Sequence, residues 1–336
     1  MSVKVSFIVP CRNKAWFVAR TVETVLAQTY SPMEIVLSDQ GSEDGTYEIL
    51  KDMAEKYTGE NTVRVLQCPH TEFKGMAGLN THLNWLHDQI EGDIVIMCSA
   101  DDLNHPDRVK HTVEAFERHN PSYVGTAVEY LDEDCRSRGE ITAYGIIDGN
   151  LAREDGFVDP VQNIRDTIGS SASSAWARDL YSKYGPLRGV ESQDVLLPFF
   201  ATIERGLFYV NKPLHAYVRH ANIDNTGLEG VVRAASKVVA GIEEKLKLAS
   251  DEKEKEELRK QWEAAKAKEF ATVEVNNYHY TSNYFAILRR IQQMNLQVQQ
   301  ELMHELLQKA VDGGAIWALS RDNVTMLRTP PLAMRA

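Results

Sequence analysis

The sequence predicts an α/β fold: a mostly parallel sheet flanked by helices, with a C-terminal helical extension. Two patterns carry this prediction. Over the first 130 residues, short β-rich runs alternate with segments of helical spacing, the order that builds parallel strands joined by crossover helices. From about Gly230 the strand-like runs give way to long helical patterns, one of them very rich in Glu and Lys. The length of 336 residues allows one large α/β domain or two ordinary ones, and an apolar share of 43% is enough for a sizeable core.

The elements follow in order. Val3 to Val9 is a first strand. Ala15 to Gln28 has helical spacing, with Phe17, Val18, Val22, Val25 and Leu26 on one face. Glu34 to Leu37 is a second strand, and Gly45 to Tyr57 a second helix preceded by the cap-type residues Ser42 and Asp44. Val63 to Leu66 is a third strand and Met76 to Ile90 a third helix. Asp93 to Cys98 is nearly all apolar, as a strand covered on both faces should be. A helix from about Pro106 to His119 and a strand from Tyr123 to Tyr130 complete this part. Residues 131–170 are rich in Gly, Asp and Arg and are expected as a long loop region, an acceptor-side flap. Residues 171–220 are of mixed structure. Helices are expected at Val231 to Leu248, Glu252 to Phe270 and Tyr284 to Val311. A boundary near residue 228 separates an α/β domain, 1–228, from a helical region, 229–328; the tail 329–336, with Pro330 and Pro331, is expected to fray.

The bulk numbers exclude several classes. A formal net charge of -11 argues against nucleic acid as a partner, because phosphate backbones select basic surfaces. Neither an apolar run of membrane-spanning length nor a signal-peptide pattern is found, so a cytoplasmic protein is expected, in solution or peripheral at the inner face of the membrane. Cys11, Cys68, Cys98 and Cys135 form no CxxC pair and read as buried reduced thiols, with zinc or disulfides as the alternatives. The motifs GxGxxG, GxxxxGK[ST], GxSxG and HExxH are absent, which lowers the odds of a dehydrogenase, a P-loop enzyme, a serine hydrolase and a zinc protease.

Four segments carry candidate chemistry, two of them at the carboxyl ends of strands, where ligands bind in such sheets. Asp39 ends the second strand, in Ser38-Asp39-Gln40-Gly41-Ser42-Glu43-Asp44-Gly45-Thr46, where a carboxylate can accept from a base N–H or a ribose hydroxyl; a helix-capping loop with no ligand is the other reading. Ser99-Ala100-Asp101-Asp102 follows the fourth strand. Two adjacent carboxylates repel each other, and a hard cation such as Mn²⁺ or Mg²⁺ relieves that and bridges phosphate oxygens. Alternatively Asp102 caps the next helix and Asp101 is solvated. Asp194, in Glu191-Ser192-Gln193-Asp194, is either a general base beside an acceptor hydroxyl or a helix cap. In Tyr217-Val218-Arg219-His220, Arg219 could neutralise diphosphate charge, and His220 is either a metal ligand or structural.

Together these segments resemble family 2 glycosyltransferases of the GT-A fold, a Rossmann-like architecture. Val5 to Lys14 looks like that family's first strand and nucleotide-binding loop, and Val22 to Tyr30 like its S/T-V-L-x-Q-T-Y/F helix end. Glu34 to Thr46 matches its DxGSxDGT turn, Gly75 to Asn80 its glycine-containing segment, and Ile94 to Pro106 the strand with a DxD-like metal motif. Gly169-Ser170-Ser171 and Lys183-Tyr184-Gly185 resemble its acceptor-side segment. Gln193-Asp194 falls at its ED motif, and Pro213 to His220 resembles its P-L-x-x-Y-R-x-H ending.

The resemblance divides the first domain into a nucleotide-binding half, 1–130, and an acceptor-side half, 131–228. It implies that Pro10, Arg12 and Asn13 line the nucleotide pocket and that Asp39 contacts the base, of uracil type. It implies that Asp101 and Asp102 bind ribose and the metal–diphosphate, that His220 is an additional metal ligand, and that Asp194 deprotonates the acceptor with inversion. The implied partners are a nucleotide-sugar donor and a glycan, lipid-linked or small-molecule acceptor. Departures are Gln40 and Ser99 where the family often has Asp, Gln193 for the acid of the ED motif, and adjacency of Arg219 and His220; Q-x-x-R-W of processive synthases is absent. Two further readings stay open: a sugar-1-phosphate nucleotidyltransferase, although its glycine-rich N-terminal loop is not visible, and a sugar-nucleotide-binding or scaffold protein with a degenerate site. The C-terminal helices, with Leu302, Leu306 and Leu307, are expected to support self-association into a homo-oligomer.

Overall fold

Seven consecutive buried residues, Val5–Cys11, form β1 at the centre of the fold. In this computed structural model the described residues are 3–73, 75–142, 155–157, 173–188, 193–220, 239, 241–247 and 255–266. Contacts group the chain into two units, Met1–Ala221 and Asn222–Ala336.

In the first unit β1 is followed by α1 (Val18–Leu26), β2 (Glu34–Asp39), α2 (Thr46–Lys56), β3 (Thr62–Gln67), α3 (Gly75–Gln89) and β4 (Ile94–Met97). Then come β5 (Leu103–Asn104), α4 (Arg108–His119), β6 (Tyr123–Leu131), β7 (Ser137–Thr142), β8 (Gly156–Phe157) and β9 (Ser174–Ala177). Two helices, which we number α5 (Arg178–Tyr184) and α6 (Gln193–Ile203), lead to β10 (Leu207–Val218).

The sheet order is β3-β2-β1-β4-β9-β6-β10-β5, with β7 on β6 and β8 on β10. From β3 to β4 every pairing is parallel, as the alternating pattern requires. Beyond β4 the sheet is mixed. β9 runs antiparallel to both β4 and β6, while β6 and β10 are again parallel. The sequence pattern could not show this, because β9 is a four-residue strand, Ser-Ala-Trp-Ala, too short for its period to be read. The stretch expected to be wholly irregular, 131–170, contributes the end of β6, β7 and β8; residues 143–154 and 158–170, most of the expected flap, lie outside the described ones.

Both faces of the sheet are covered by helices, which is why β1 and β4 are apolar without alternation. Val18, Val22 and Val25, at the i, i+4, i+7 spacing of one helical face, pack on Phe7, Val9, Ile35 and Leu37 together with Leu50 of α2 and Val109, Val113 and Phe116 of α4. Ser38 points to the opposite face from Leu37, and its Oγ is 2.7 Å from Nε2 of His82, so α3 lies on that second face. Burial, with the nearby Arg12 charge adding, drives the His82 pKa down to about 3, so the ring is neutral there. Asn84 of α3 holds Leu187 after α5 through both its backbone groups, at 2.8 and 2.9 Å.

β10 is twelve residues long, and its pairing with β6 slips between Val210 and Pro213 and again before His215. Proline has no N–H to give the ladder, and such irregularities re-aim the residues that follow. Here they bring His215 opposite Asn104 of β5, beside the end of β4.

In the second unit, residues 241–247 and 255–266 are helical, within two of the three expected helices, and Trp262 Nε1 donates to Glu243 at 2.9 Å. The expected helix at 284–311, and with it the proposed self-association face, lies outside the described residues. Among the described residues no helix is long and apolar enough to cross a membrane.

Candidate active site

Three loops meet at the carboxyl ends of β1, β2 and β4. The β1 loop is built by Asn13, which takes the left-handed conformation at φ 51°. Its N–H donates to Ser42 Oγ at 2.8 Å, and its Oδ1 accepts the Glu43 amide at 2.9 Å. The Lys14 amide donates to Thr46 Oγ1 at 2.8 Å and the Ala15 amide to Asp44 at 3.0 Å. Four hydrogen bonds thus weld the β1 loop to the β2 loop, and Asn13 is a loop-builder whatever else it touches.

Asp39 is 1% exposed, and its two carboxylate oxygens accept the amide and the hydroxyl of Ser42. It closes the turn that Gly41 makes possible. Gly41 has φ +66°, and a Cβ there would stand 2.6 Å from Thr71 Cγ2, so a side chain is excluded by both conformation and space. Gln40 donates to the carbonyls of His70 and Gly78 at 2.8 and 2.9 Å, and Arg12 donates to the carbonyls of Thr71, at 3.0 Å, and Phe73. These two residues therefore pin the segment after β3 against the site. Pro10 lies in β1 opposite Ser38.

The acid pair after β4 splits. Asp101 keeps 19% of its side chain exposed; Oδ2 is 2.8 Å from Lys14 Nζ and 3.4 Å from His220 Nε2. Burial works to raise its pKa, but the hydrogen bond from His220 and the Lys14 ammonium outweigh it, and the net shift is downward. Asp102 turns inward, with 3% of its side chain exposed. Its Oδ1 accepts the Val218 amide at 3.1 Å and its Oδ2 lies 3.2 Å from His215 Nε2. The expectation of two adjacent carboxylates sharing one cation is therefore replaced by one acid at the site and one beneath it, because both Asp102 oxygens are already engaged by β10.

Beneath Asp102 lies a buried cationic post. Arg108, fully buried, donates to the carbonyls of Met97 at 2.7 Å and Ser174 at 3.3 Å and to Asn104 Oδ1, and its Nη1 is 3.5 Å from His215 Nδ1. Arginine can only donate, so Nδ1 accepts and Nε2 carries the proton toward Asp102. Burial lowers the His215 pKa and lowers Arg108 to about 10, which leaves a neutral imidazole and a charged guanidinium at neutral pH.

His220, two residues past the end of β10, has its Nε2 on Asp101; its Nδ1 is buried and lacks a hydrogen-bond partner. Trp16, 42% exposed, meets the imidazole edge-on at 4.3 Å between centroids. Arg219, expected toward a diphosphate, sits over the Tyr130 ring at 4.2 Å, and its amide donates to Leu131. Asp194 stands in the first turn of α6, half-buried, near enough to Tyr123 that its charge adds to burial in raising the phenol. Sequence reading passed over Lys14, Arg108, His215 and Trp16 as site residues; two of them lay inside quoted motifs without an assigned role.

A cleft of about 560 Å³ opens between α3 and α5, lined by His70, Trp85, Asp88, Tyr181, Ser182 and Pro186 among others. His87 and Tyr181 stack at 4.0 Å to form one wall. Cys11, Cys68 and Cys98 are buried free thiols, and Cys135 is a half-buried one.

A parallel half-sheet, an antiparallel insertion and an acidic motif at the β4 edge define a GT-A-type glycosyltransferase domain. Residues 6–175, just over half of the 336, match the family described as Glycosyl transferase family 2, and the chain belongs to that family. It is similar to glycosyltransferase EpsE of Bacillus subtilis strain 168, 27% identical over 232 residues that cover 66% of this chain and 79% of that protein. It is also similar to glucosyl-dolichyl phosphate glucuronosyltransferase of Haloferax volcanii, 28% identical over 170 residues and half of each chain. In fold it is similar to residues 1–349 of S. aureus TarS, solved in complex with UDP-GlcNAc, with a TM-score of 0.52 at 15% identity, covering 96% of this chain and 83% of that one.

Proposed function

We propose that this glycosyltransferase transfers a sugar, with inversion, from a nucleotide-sugar donor of the UDP class to a hydroxyl of a glycan, lipid-linked or small-molecule acceptor. The observation that carries the reading is the cluster of Asp101, His220 and Lys14 at the meeting of the β1, β2 and β4 loops, in a chain of this family. TarS, which shares the fold, is solved with UDP-GlcNAc, and that donor is the first to test.

Among the described residues no three His, Cys, Asp or Glu side chains gather as a metal site, so a divalent cation, Mn²⁺ or Mg²⁺, would take two protein ligands and draw the rest from the substrate. Asp101 and His220 supply a carboxylate and an imidazole, with a buried Nδ1 behind the latter, and ions of this kind complete their shell with substrate phosphates and water rather than an all-protein cage. When bound, such an ion neutralises charge on the diphosphate leaving group. Asp102 then serves as the inward post that holds Val218, and through it the end of β10, at the site. Asp39, Asn13 and Arg12 shape the nucleotide pocket, and Trp16 offers an aromatic face beside His220. Asp194 receives the acceptor proton.

The acceptor belongs in the α3–α5 cleft. Its floor begins at His70, on the segment that Gln40 pins against the β2 loop. The planar rings of Trp85 and Tyr181 alternating with hydrogen-bonding groups suit a sugar ring. Trp85→Ala is expected to raise the acceptor KM about tenfold or more while donor hydrolysis without acceptor is unchanged. Equal loss in both assays would take the acceptor out of this cleft.

The test of the function is hydrolysis of a panel of nucleotide sugars, with Mn²⁺ or with EDTA and without acceptor. Release of a nucleoside diphosphate from one donor, stopped by EDTA, is the expected result. Release that persists in EDTA would remove the cation. Absence of both turnover and binding for every nucleotide sugar would favour a degenerate binding protein.

A further inference from the structure

We infer that Lys14 is the resident counter-cation of Asp101, and that it makes divalent-cation binding conditional on the arrival of the donor's diphosphate. The inference rests on the proposed cation position at Asp101 and His220. The Asp101 oxygen shared with His220 Nε2, at 3.4 Å, is the same Oδ2 that the Lys14 ammonium occupies at 2.8 Å. The lysine side chain is 11% exposed and the carboxylate 19%, so water screens the pair weakly. An ammonium and a divalent ion cannot share that oxygen without strong like-charge repulsion, so a cation that takes Oδ2 must displace Lys14.

The Lys14 side chain can move without its loop. Its backbone is fixed by the amide bond to Thr46 Oγ1 at 2.8 Å and by the left-handed Asn13 before it. The ammonium sits on a flexible four-carbon stem, so it can swing while the loop stays. The neighbouring cations are held differently: Arg12 on the carbonyls of Thr71 and Phe73, and Arg219 over Tyr130. A diphosphate reaching the β1 loop attracts Lys14, which frees Oδ2 for the ion. Nucleotide and cation then bind with positive coupling, and linkage requires each to tighten the other by the same factor. The empty enzyme is spared a tightly held metal, and the Asp101 carboxylate never stands without a counter-charge.

The experiment measures binding rather than turnover. Free Mn²⁺ is followed by electron paramagnetic resonance during titration of the full-length protein, with and without UDP. UDP binding is measured separately in EDTA. In the native protein Mn²⁺ is expected to bind weakly alone and about tenfold or more tighter with UDP. Lys14→Gln should tighten Mn²⁺ in the nucleotide-free protein by about tenfold, shrink the effect of UDP, and weaken UDP in EDTA. Lys14→Arg should keep the native pattern, which separates charge from packing. A Lys14→Gln protein, folded by its melting curve, with unchanged or weaker Mn²⁺ affinity overturns the inference. Asp101→Asn distinguishes the two levels: loss of Mn²⁺ binding with no Lys14 effect sinks only the lysine's role, whereas Mn²⁺ binding that survives Asp101→Asn sinks the cation position and the inference with it.

Discussion

Asp194→Asn is expected to cut transfer by about 10²- to 10⁴-fold, the usual worth of a positioned general base, while leaving donor binding intact. The residue lies in the first turn of α6, a position where the unpaired amides of a helix start favour negative charge and hydrogen-bond acceptors. Asparagine is nearly the same size and keeps an acceptor oxygen, so the helix start should survive. What it cannot do is accept a proton in the transition state. The signature is therefore a fall in kcat with the acceptor and donor KM nearly unchanged, because an interaction made only in the transition state has been removed. Metal-dependent donor hydrolysis and UDP affinity give the control, since neither needs the acceptor hydroxyl deprotonated by Asp194. Turnover near the native level would take Asp194 out of this role. A matched loss in UDP affinity would instead mark it as part of the donor pocket or of the fold.

Much of the fold was legible because its first half obeys local rules. The four parallel strands and the helices between them begin and end within about three residues of the runs read from periodicity, since β1, β2 and β4 are buried along nearly their whole length and α1, α2 and α4 bury one apolar stripe. The antiparallel insertion was not legible. β9 has four residues, and its partners β4 and β6 are about 80 and 50 residues earlier in the chain. Nothing local in Ser174-Ala175-Trp176-Ala177 states which strands it will join.

The site divides along the same line. Asp39, Asp101, Asp194 and His220 stand out because their neighbours form recognisable turns and strand ends. The partners that set their behaviour do not. Lys14 reaches Asp101 across 87 residues, and Arg108 reaches His215 across 107. Sequence spacing cannot tell that Asp101 faces the loops while Asp102 faces β10; that depends on the slip in β10 at Pro213, which delivers His215 and the Val218 amide under the motif. The Gln40 departure also takes on meaning only in space. Gln40 spends its amide on the His70 and Gly78 carbonyls, a task a carboxylate could not perform, because it has no donor. Its presence explains how the segment after β3 is held against the nucleotide loop.

The buried post beneath the motif predicts the largest loss of stability. Arg108→Met should destabilise the fold by about 3–5 kcal/mol, because it takes the charge out of a buried network and leaves several buried acceptors without a donor. The guanidinium is fully buried, its charge kept at neutral pH with a pKa lowered only to about 10, and it serves Met97, Ser174 and Asn104 while polarising His215 toward Asp102. Methionine roughly matches its length and loses every donor, so those acceptors go unsatisfied and His215 loses the group that turns its proton toward Asp102. Against a typical total stability of roughly 5–15 kcal/mol, such a loss should lower the melting temperature by roughly 10 °C. Lysine at 108 should recover part of it, because it restores the charge but not the planar fork that reaches several acceptors at once. Adding Asp102→Asn to Arg108→Met should cost less than the sum of the two single changes, since both act on the one buried network that runs through His215. Denaturant unfolding of the four proteins measures that coupling directly. Strict additivity would mean that Arg108 and Asp102 do not act as a pair, and that Asp101 and His220 are held in place by the backbone of β10 alone.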